Sequence, residues 1–331
     1  MKRKIYILLL ILNISVSTIF GQLIQPRAIT WDGYTQLRFT SNFDNLNSFS
    51  IRRMKLWVQS DLGLNQHWNF KIQANLSSLH NEEFSLENVL VTYNTGQFKL
   101  FMGQFIPAYS LQKFQSDYKI PLTERSTVID KLIPDGTLGS RDIGIQGYFH
   151  SADNKLEIWA GLFNGYGIKE YRFDNNGFMI DQKTAVHLVK NRLTAGYSLM
   201  HRKADQLNIP GVLPDLVAIS GNDFRYNLFV QFHQGILNIQ SEYLYGQLNG
   251  QAADGYYLLA SLSKGKSQFA CSWNKYNDLI ASTSDNPVLH LGYNYLINKD
   301  KIKIMTDNSF QITGNSVKFN AMILQFQLFF K

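Results

Sequence analysis

The chain has 331 residues, of which 45% are apolar and 14% are aromatic, and its formal net charge is +7. The basic excess is small and dispersed, which argues against a nucleic-acid partner, because such proteins concentrate Lys and Arg in a patch. Cys271 is the single cysteine, so an intramolecular disulfide framework is excluded.

The first 21 residues have the pattern of a secretory signal peptide. Lys2, Arg3 and Lys4 form a basic start, residues 5–20 are nearly all apolar, and Gly21 is a small residue suited to cleavage. The apolar run is shorter than the roughly 20 residues that span a membrane as a helix, and no second run follows. We predict a signal peptide at residues 1–21 and an exported domain at residues 22–331, against the alternative of a signal anchor on a soluble periplasmic protein. The exported part keeps 29 basic and 25 acidic residues, a net charge of +4.

The rest of the chain divides into short segments that alternate apolar with polar residues. The clearest is 68–76, where every second residue from Trp68 to Leu76 is apolar and the residues between them are polar. This period of two is typical of a strand with one apolar and one polar face. The predicted strands cover residues 29–40, 50–62, 67–76, 84–94, 97–106, 142–150, 155–164, 182–190, 191–201, 223–234, 236–247, 254–263, 267–277, 287–297, 301–309 and 317–330.

The connections between these strands alternate between short and long along most of the chain. Links such as 94–97, 190–191 and 264–266 are tight, whereas 106–141 and 202–222 are long. Bacterial outer-membrane barrels combine short periplasmic turns with longer external loops, and a soluble sandwich has no reason to sort its loops in this way. We therefore predict an all-β fold: a transmembrane antiparallel barrel of about 16 strands with both termini in the periplasm. Its longest connection, 106–141, is the third external loop and has room to fold toward the lumen.

Residues 30–165 contain five short segments in a specific order: Arg52-Arg53-Met54-Lys55-Leu56, Met102-Gly103-Gln104-Phe105-Ile106-Pro107, Glu124-Arg125-Ser126, Gly139-Ser140-Arg141-Asp142-Ile143-Gly144 and Phe163-Asn164-Gly165. In their order and spacing, these segments resemble the phosphate-selective porin O and P family of bacterial outer-membrane porins. The second half resembles the family through Gln240-Ser241-Glu242-Tyr243-Leu244 and Gly292-Tyr293-Asn294-Tyr295. The resemblance implies a sixteen-stranded channel, often trimeric, that takes up anions. This chain departs from the family's best-known members in having few lumen arginines, so we expect only a modest anion preference, phosphate included.

Strand phase alone places four basic residues on the lumen wall. Alternation in the first three strands predicts that Arg38, Arg53, Lys55 and Lys71 face inward. Lys55 and Lys71 should lie at similar height on neighbouring strands, with Arg38 and Arg53 together somewhat higher. Because like charges on adjacent strands repel, such a patch favours an anionic permeant. The alternative is an ordinary polar wall, balanced by acidic residues across the lumen.

The long loop supplies further candidates for a constriction. Its basic residues are Lys113, Lys119, Arg125, Lys131 and Arg141, and four acidic residues oppose them. A ring of Arg or Lys at a constriction would select anions. The alternative is that they form salt bridges that anchor the loop, as we expect for Glu124 and Arg125 in particular. Lys301 and Lys303 share a phase beside a turn, where we expect both to be solvated.

Enzymatic and metal-binding functions have little support. The seven histidines are scattered singly, and the sequence has neither an H-E-x-x-H nor a G-x-S-x-G motif. We predict no catalytic residues, no metal site and no cofactor. The predicted function is passive diffusion of small hydrophilic solutes, with small anions, outer-membrane lipid and lipopolysaccharide as partners and a homotrimer as the assembly. The alternatives are a non-conducting structural or adhesive barrel and, less favoured, a barrel hydrolase.

Overall fold

The computed structural model describes residues 29–61, 67–78, 83–133, 141–167, 178–207, 217–278 and 286–331. Within these ranges, sixteen antiparallel strands form a closed barrel in which each strand pairs with its neighbours in sequence and β1 pairs with β16. The predicted fold class is therefore confirmed. The predicted signal peptide, residues 1–21, lies outside the described residues.

The strands follow the predicted order closely. Their bounds are β1 Thr30–Ser41, β2 Asn47–Asp61, β3 Trp68–Ser77, β4 Glu83–Asn94, β5 Phe98–Phe105, β6 Asp142–His150, β7 Leu156–Phe163, β8 Met179–Val189, β9 Leu193–Leu207, β10 Ile219–Gln234, β11 Leu237–Leu248, β12 Gln251–Lys264, β13 Ser267–Asn277, β14 Val288–Asn298, β15 Ile302–Thr313 and β16 Ser316–Phe330. The main differences lie in polar strand ends: β9 continues to Leu207 and β10 begins at Ile219. Backbone hydrogen bonds between strands do not need apolar side chains. The strands therefore continue beyond the residues in which apolar and polar side chains alternate.

The barrel is apolar outside and polar inside, the reverse of a soluble protein. Leu228 is 54% exposed on the outer face, whereas its neighbour Asn227 is fully buried inside. The same contrast separates Phe326, which is 38% exposed, from Gln325, which is buried. An outer face of this kind is stable only in an apolar solvent such as the interior of a membrane. No helix among the described residues is long and apolar enough to cross a membrane.

A bulge interrupts the pairing of β1 with β2. Gln36 lies opposite Arg53 and Leu37 lies opposite Ile51, so Arg52 has no partner in the register. A bulge of this kind lets two consecutive residues of one strand approach the same neighbour. Its consequence appears in the lumen, where Arg52 and Arg53 contact the same carboxylate.

The connection between β5 and β6 is the longest in the barrel. We call its described part, residues 106–133, the inner loop. It contains a one-turn 3₁₀ helix, Asp117–Lys119, and one short α-helix, α1, at Thr127–Leu132. Neither was predicted, because a segment of six residues or fewer shows too little periodicity to be recognised.

Candidate functional site: the lumen and its inner loop

The inner loop lies inside the barrel, because it bonds to strands on opposite sides of the closed sheet. The Asp117 carboxylate accepts a 2.7 Å hydrogen bond from Lys55 Nζ on β2. At the other side, the Leu111 amide donates to Glu242 on β11 at 2.8 Å. The lumen is therefore crossed by a segment of chain, and the remaining opening lies to one side of it.

Glu242 is the centre of one attachment of the loop. It is 1% exposed and accepts hydrogen bonds from neutral donors on the loop and on the wall. The donors are Ser110 Oγ at 3.1 Å, Leu111 N at 2.8 Å, Gln112 N at 2.7 Å, Asn227 Nδ2 at 2.7 Å and Tyr257 OH at 2.7 Å. Hydrogen bonds to a charged group are stronger than those between neutral groups. The carboxylate therefore holds three successive loop residues against β10, β11 and β12.

An apolar contact holds α1 against the same side of the barrel. Val128, Ile129 and Leu132 are buried in a cluster that includes Tyr257 and Tyr276 of the wall. Two glycines of the wall, Gly255 and Gly292, have no side chain there and let the inner loop approach closely. A Cβ atom on Gly255 would lie 2.9 Å from Val128, and one on Gly292 would lie 2.7 Å from Leu122. The half of the lumen next to β11–β14 is thus filled rather than open.

A third attachment joins the loop to the last strands. Asp307 on β15 accepts hydrogen bonds from Thr123 Oγ1 at 2.9 Å and from Thr123 N at 3.3 Å. Lys303, which was expected to be solvated, is fully buried and donates to the Tyr118 carbonyl at 2.9 Å. That expectation was wrong for Lys303 because a loop distant in sequence reaches it, while Lys301 is exposed as expected.

A polar cavity of about 510 Å³ lies between the inner loop and the wall of β1–β4. We call it the eyelet cavity. Its described lining carries seven basic and five acidic side chains, a net charge of +2. The basic residues are Arg52, Arg53, Lys55, Lys71, Lys113, Arg125 and Arg141, and the acidic residues are Glu83, Glu87, Asp117, Glu124 and Asp130.

Three of the four predicted wall cations are held in ion pairs. Arg38 Nη1 lies 2.7 Å and Arg53 Nη2 lies 3.1 Å from Glu124, which Arg52 also contacts. Lys55 Nζ lies 2.7 Å from Asp117 and 3.0 Å from Glu87. The expected repulsion between these cations is relieved because two carboxylates of the inner loop insert between them.

Lys71 differs from the other cations of the eyelet cavity. Among the described residues it forms no ion pair, and its ammonium group lies 5.1 Å from the centroid of the Trp57 ring. The excess positive charge of the cavity is therefore least compensated at this residue.

The five predicted loop cations have separate environments. Lys113 lies 3.8 Å from Asp130, Arg141 Nη2 lies 2.9 Å from Glu87, and Arg125 contacts Asp117 and donates to the Gln112 carbonyl. Lys119 is exposed over the Tyr118 ring, and Lys131 lies over the Tyr276 ring, outside the eyelet cavity. The described positions do not form a ring of cations.

Two loop carboxylates are held ionised by their basic neighbours. Burial by itself raises the pKa of Asp117, but Lys55, Arg53 and Arg125 outweigh it and hold the pKa well below its usual range. Burial likewise raises the pKa of Glu124, whereas Arg53, Arg52 and Arg38 lower it by more. Both loop carboxylates are therefore charged at neutral pH, and they neutralise much of the wall.

Comparison with known sequences places the chain in a family. The sequence model of the family described as phosphate-selective porin O and P matches residues 27–290. The chain belongs to this porin family. As a porin it is an outer-membrane channel. No curated protein matches the sequence.

Solved porin structures share the fold at low sequence identity. The Salmonella typhi OmpF porin in complex with daunomycin has a TM-score of 0.68 and 8% identity, over 91% of this chain and 97% of that one. The anion-selective porin from Comamonas acidovorans has a TM-score of 0.64 and 13% identity, over 92% and 99%. The trimer form of OmpT from Vibrio cholerae has a TM-score of 0.56 and 11% identity, over 92% and 100%. At such identities the likeness shows the fold alone.

Several residues that shape the porin's lumen were not among the predicted site residues. Glu242 occupies a lumen phase of β11, so alternation could have placed it inside. Glu87 lies at a register shift between β3 and β4, where both it and Asn88 line the cavity. Asp117 lies in an irregular loop, and Arg52 faces the lumen only because of the bulge in β2. No feature of the sequence could have shown which wall residues Asp117 and Glu124 contact.

Proposed function

We propose that this porin has a modest preference for anions, and that Lys71 is the residue on which the preference mainly depends. The observation that supports this is the charge balance of the eyelet cavity: its lining has an excess of two positive charges. Lys71 is the lining cation that forms no direct ion pair with a described residue. A weakly compensated ammonium group offsets part of the desolvation cost of a passing anion without holding it tightly.

In this proposal, the other predicted cations would mainly bind carboxylates and would contribute little to the anion preference. Arg38, Arg53 and Lys55 hold Glu124 and Asp117, so their charges are largely cancelled locally. Lys113, Arg125 and Arg141 are similarly placed beside carboxylates. Lys119 and Lys131 lie outside the cavity lining and would contribute only to its approaches. The path of the anion would follow the β3 side of the cavity.

The test is the reversal potential of single channels in a planar bilayer under a KCl gradient. Wild type should favour chloride over potassium, and Lys71→Gln should reduce this preference while the conductance stays close to that of wild type. Lys155→Gln, which makes the same charge change in an exposed turn, is the matched control. An unchanged reversal potential in Lys71→Gln, or a cation preference in wild type, would refute the proposal.

We also propose that the mature porin lacks residues 1–21, forms a homotrimer and has both termini at the periplasmic rim, with lipid and lipopolysaccharide around its outer face. The start of β1 and the end of β16 share the rim that carries the turns 95–97, 190–192 and 235–236. A membrane-impermeant maleimide distinguishes the two orientations in intact cells whose porin carries Cys271→Ser. Asp44→Cys should be labelled and Asp153→Cys should not; the opposite pattern would reverse the orientation.

A further inference from the structure

Four aromatic rings form a closed cluster beside the eyelet cavity. Tyr34 lies 6.3 Å from Trp57 and 5.5 Å from Tyr118, and Phe329 lies 5.6 Å from Trp57 and 5.4 Å from Tyr118, between ring centroids. We call these four residues the aromatic pad. They come from β1, β2, β16 and the inner loop, so the fold brings them together although they are distant in sequence.

The aromatic pad is only partly buried. Tyr34 is 2% exposed, and its hydroxyl donates to Asp117 at 3.2 Å. Trp57 and Tyr118 are only half-buried, and both line the eyelet cavity. Part of their ring surface therefore faces the space through which solutes pass.

Two lysines accompany these two rings. The ammonium group of Lys71 lies 5.1 Å from the Trp57 centroid, and that of Lys119 lies 5.7 Å from the Tyr118 centroid. Neither lysine forms a direct ion pair with a described residue. A ring face attracts an ammonium group but does not accept all of its hydrogen bonds, so donors stay available for an anion.

We propose that the aromatic pad and Lys71 together form a binding subsite for aromatic carboxylates. The ring of the solute would pack on Trp57 and Tyr118 while its carboxylate accepts a hydrogen bond from Lys71. Aromatic rings prefer edge-to-face or offset contacts, which the exposed parts of the pad offer. This inference rests on the proposed role of Lys71 in the anion path and adds the class of solute.

Block of the KCl current at pH 7 by three carboxylates tests the subsite. Benzoate has a ring and a charge, cyclohexanecarboxylate has the same size and charge without an aromatic face, and acetate has the charge alone. The half-blocking concentration of benzoate should be about two- to tenfold lower than that of cyclohexanecarboxylate. Trp57→Leu should remove this difference, whereas Trp57→Phe should keep part of it. Trp31→Leu, which removes a Trp that is 63% exposed on the outer face, is the matched control.

The outcomes separate this subsite from the proposed anion preference. Equal block of wild type by benzoate and cyclohexanecarboxylate overturns the subsite, even where Lys71→Gln still reduces the chloride preference. A benzoate advantage that persists in Trp57→Leu also overturns it. If Trp57→Leu does not reach the folded form on a heat-modifiability gel, wild type and Trp57→Phe decide the question. An unchanged chloride preference in Lys71→Gln refutes the proposed function instead, whatever the blockers show.

Discussion

The backbone amide of Leu111 in the inner loop donates a hydrogen bond of 2.8 Å to the buried carboxylate of Glu242 on β11. Four further neutral donors complete the shell of that carboxylate, two from the loop and two from the wall. A buried carboxyl group is stable inside a protein only when such donors replace its lost hydration. The loop and the wall therefore depend on each other at this point.

Glu242→Gln should release the inner loop without unfolding the barrel. The amide keeps one acceptor oxygen and turns a second acceptor into a donor, so several buried donors lose their partner, at about 1–3 kcal/mol for each unsatisfied group. We expect noisier single-channel currents with a higher mean conductance, and a lower temperature of thermal unfolding in detergent. Glu157→Gln is the control, because Glu157 pairs with His187 on the wall. A quiet channel of unchanged conductance in Glu242→Gln would contradict this role.

Asp117→Asn should make the channel more selective for anions and less stable. The substitution removes one negative charge from the eyelet cavity and leaves Lys55 without its 2.7 Å partner. Removing one member of a buried ion pair typically costs about 3–5 kcal/mol. Reversal potentials and thermal unfolding measure the two effects. Asp130→Asn makes the same charge change at a carboxylate that is 54% exposed, so it should cost about 0–1 kcal/mol at most. Equal losses of stability in Asp117→Asn and Asp130→Asn would contradict the assignment of Asp117 to a buried ion pair with Lys55.

The charges of Asp117 and Glu124, and their effect on the anion preference, should be independent of pH from about 7 to about 5. The pKa values of Asp117 and Glu124 are lowered in the folded porin. The ion pairs of these two carboxylates therefore stabilise the folded porin fully at any pH above about 4, the pKa of an unpaired carboxylate. This stabilisation is lost only as the pH falls through their lower pKa values in the folded state. No histidine is among the described residues that line the cavity. The difference in reversal potential between wild type and Asp117→Asn should stay constant down to about pH 5 and disappear only below about pH 4. A difference that disappears with a midpoint above pH 5 would contradict the prediction.

The sequence was sufficient to predict the barrel because a membrane imposes a simple rule on each strand. Residues that face lipid must be apolar, so Leu228 and Asn227, adjacent in sequence, are assigned to opposite faces by alternation alone. The same rule places Arg38, Arg53 and Lys55 inside. The rule fails at Arg52, because one extra residue in β2 shifts the inward–outward alternation by one position. The amino-acid composition of the strand does not show where this shift occurs.

The contacts of the inner loop could not be predicted from the sequence. The pairing of Asp117 with Lys55 joins residues 62 positions apart, and that of Leu111 with Glu242 joins residues 131 positions apart. Charge counts alone allowed either a cationic wall or a wall neutralised by the loop. The choice depends on where an irregular segment lies inside the barrel, and an irregular segment has no periodicity from which its position could be read.

Gly292→Ala together with Leu122→Ala tests whether the inner loop fits closely against the wall. An alanine Cβ at position 292 would lie 2.7 Å from Leu122 Cδ2, so the single variant Gly292→Ala should lose about 1–3 kcal/mol by overpacking. Leu122→Ala alone should lose about 2–5 kcal/mol, because Leu122 is buried. In the double variant the new methyl group enters the space that the leucine leaves, so the combined loss should be smaller than the sum of the two. Additive losses in thermal unfolding would mean that the wall and the loop do not touch at this point.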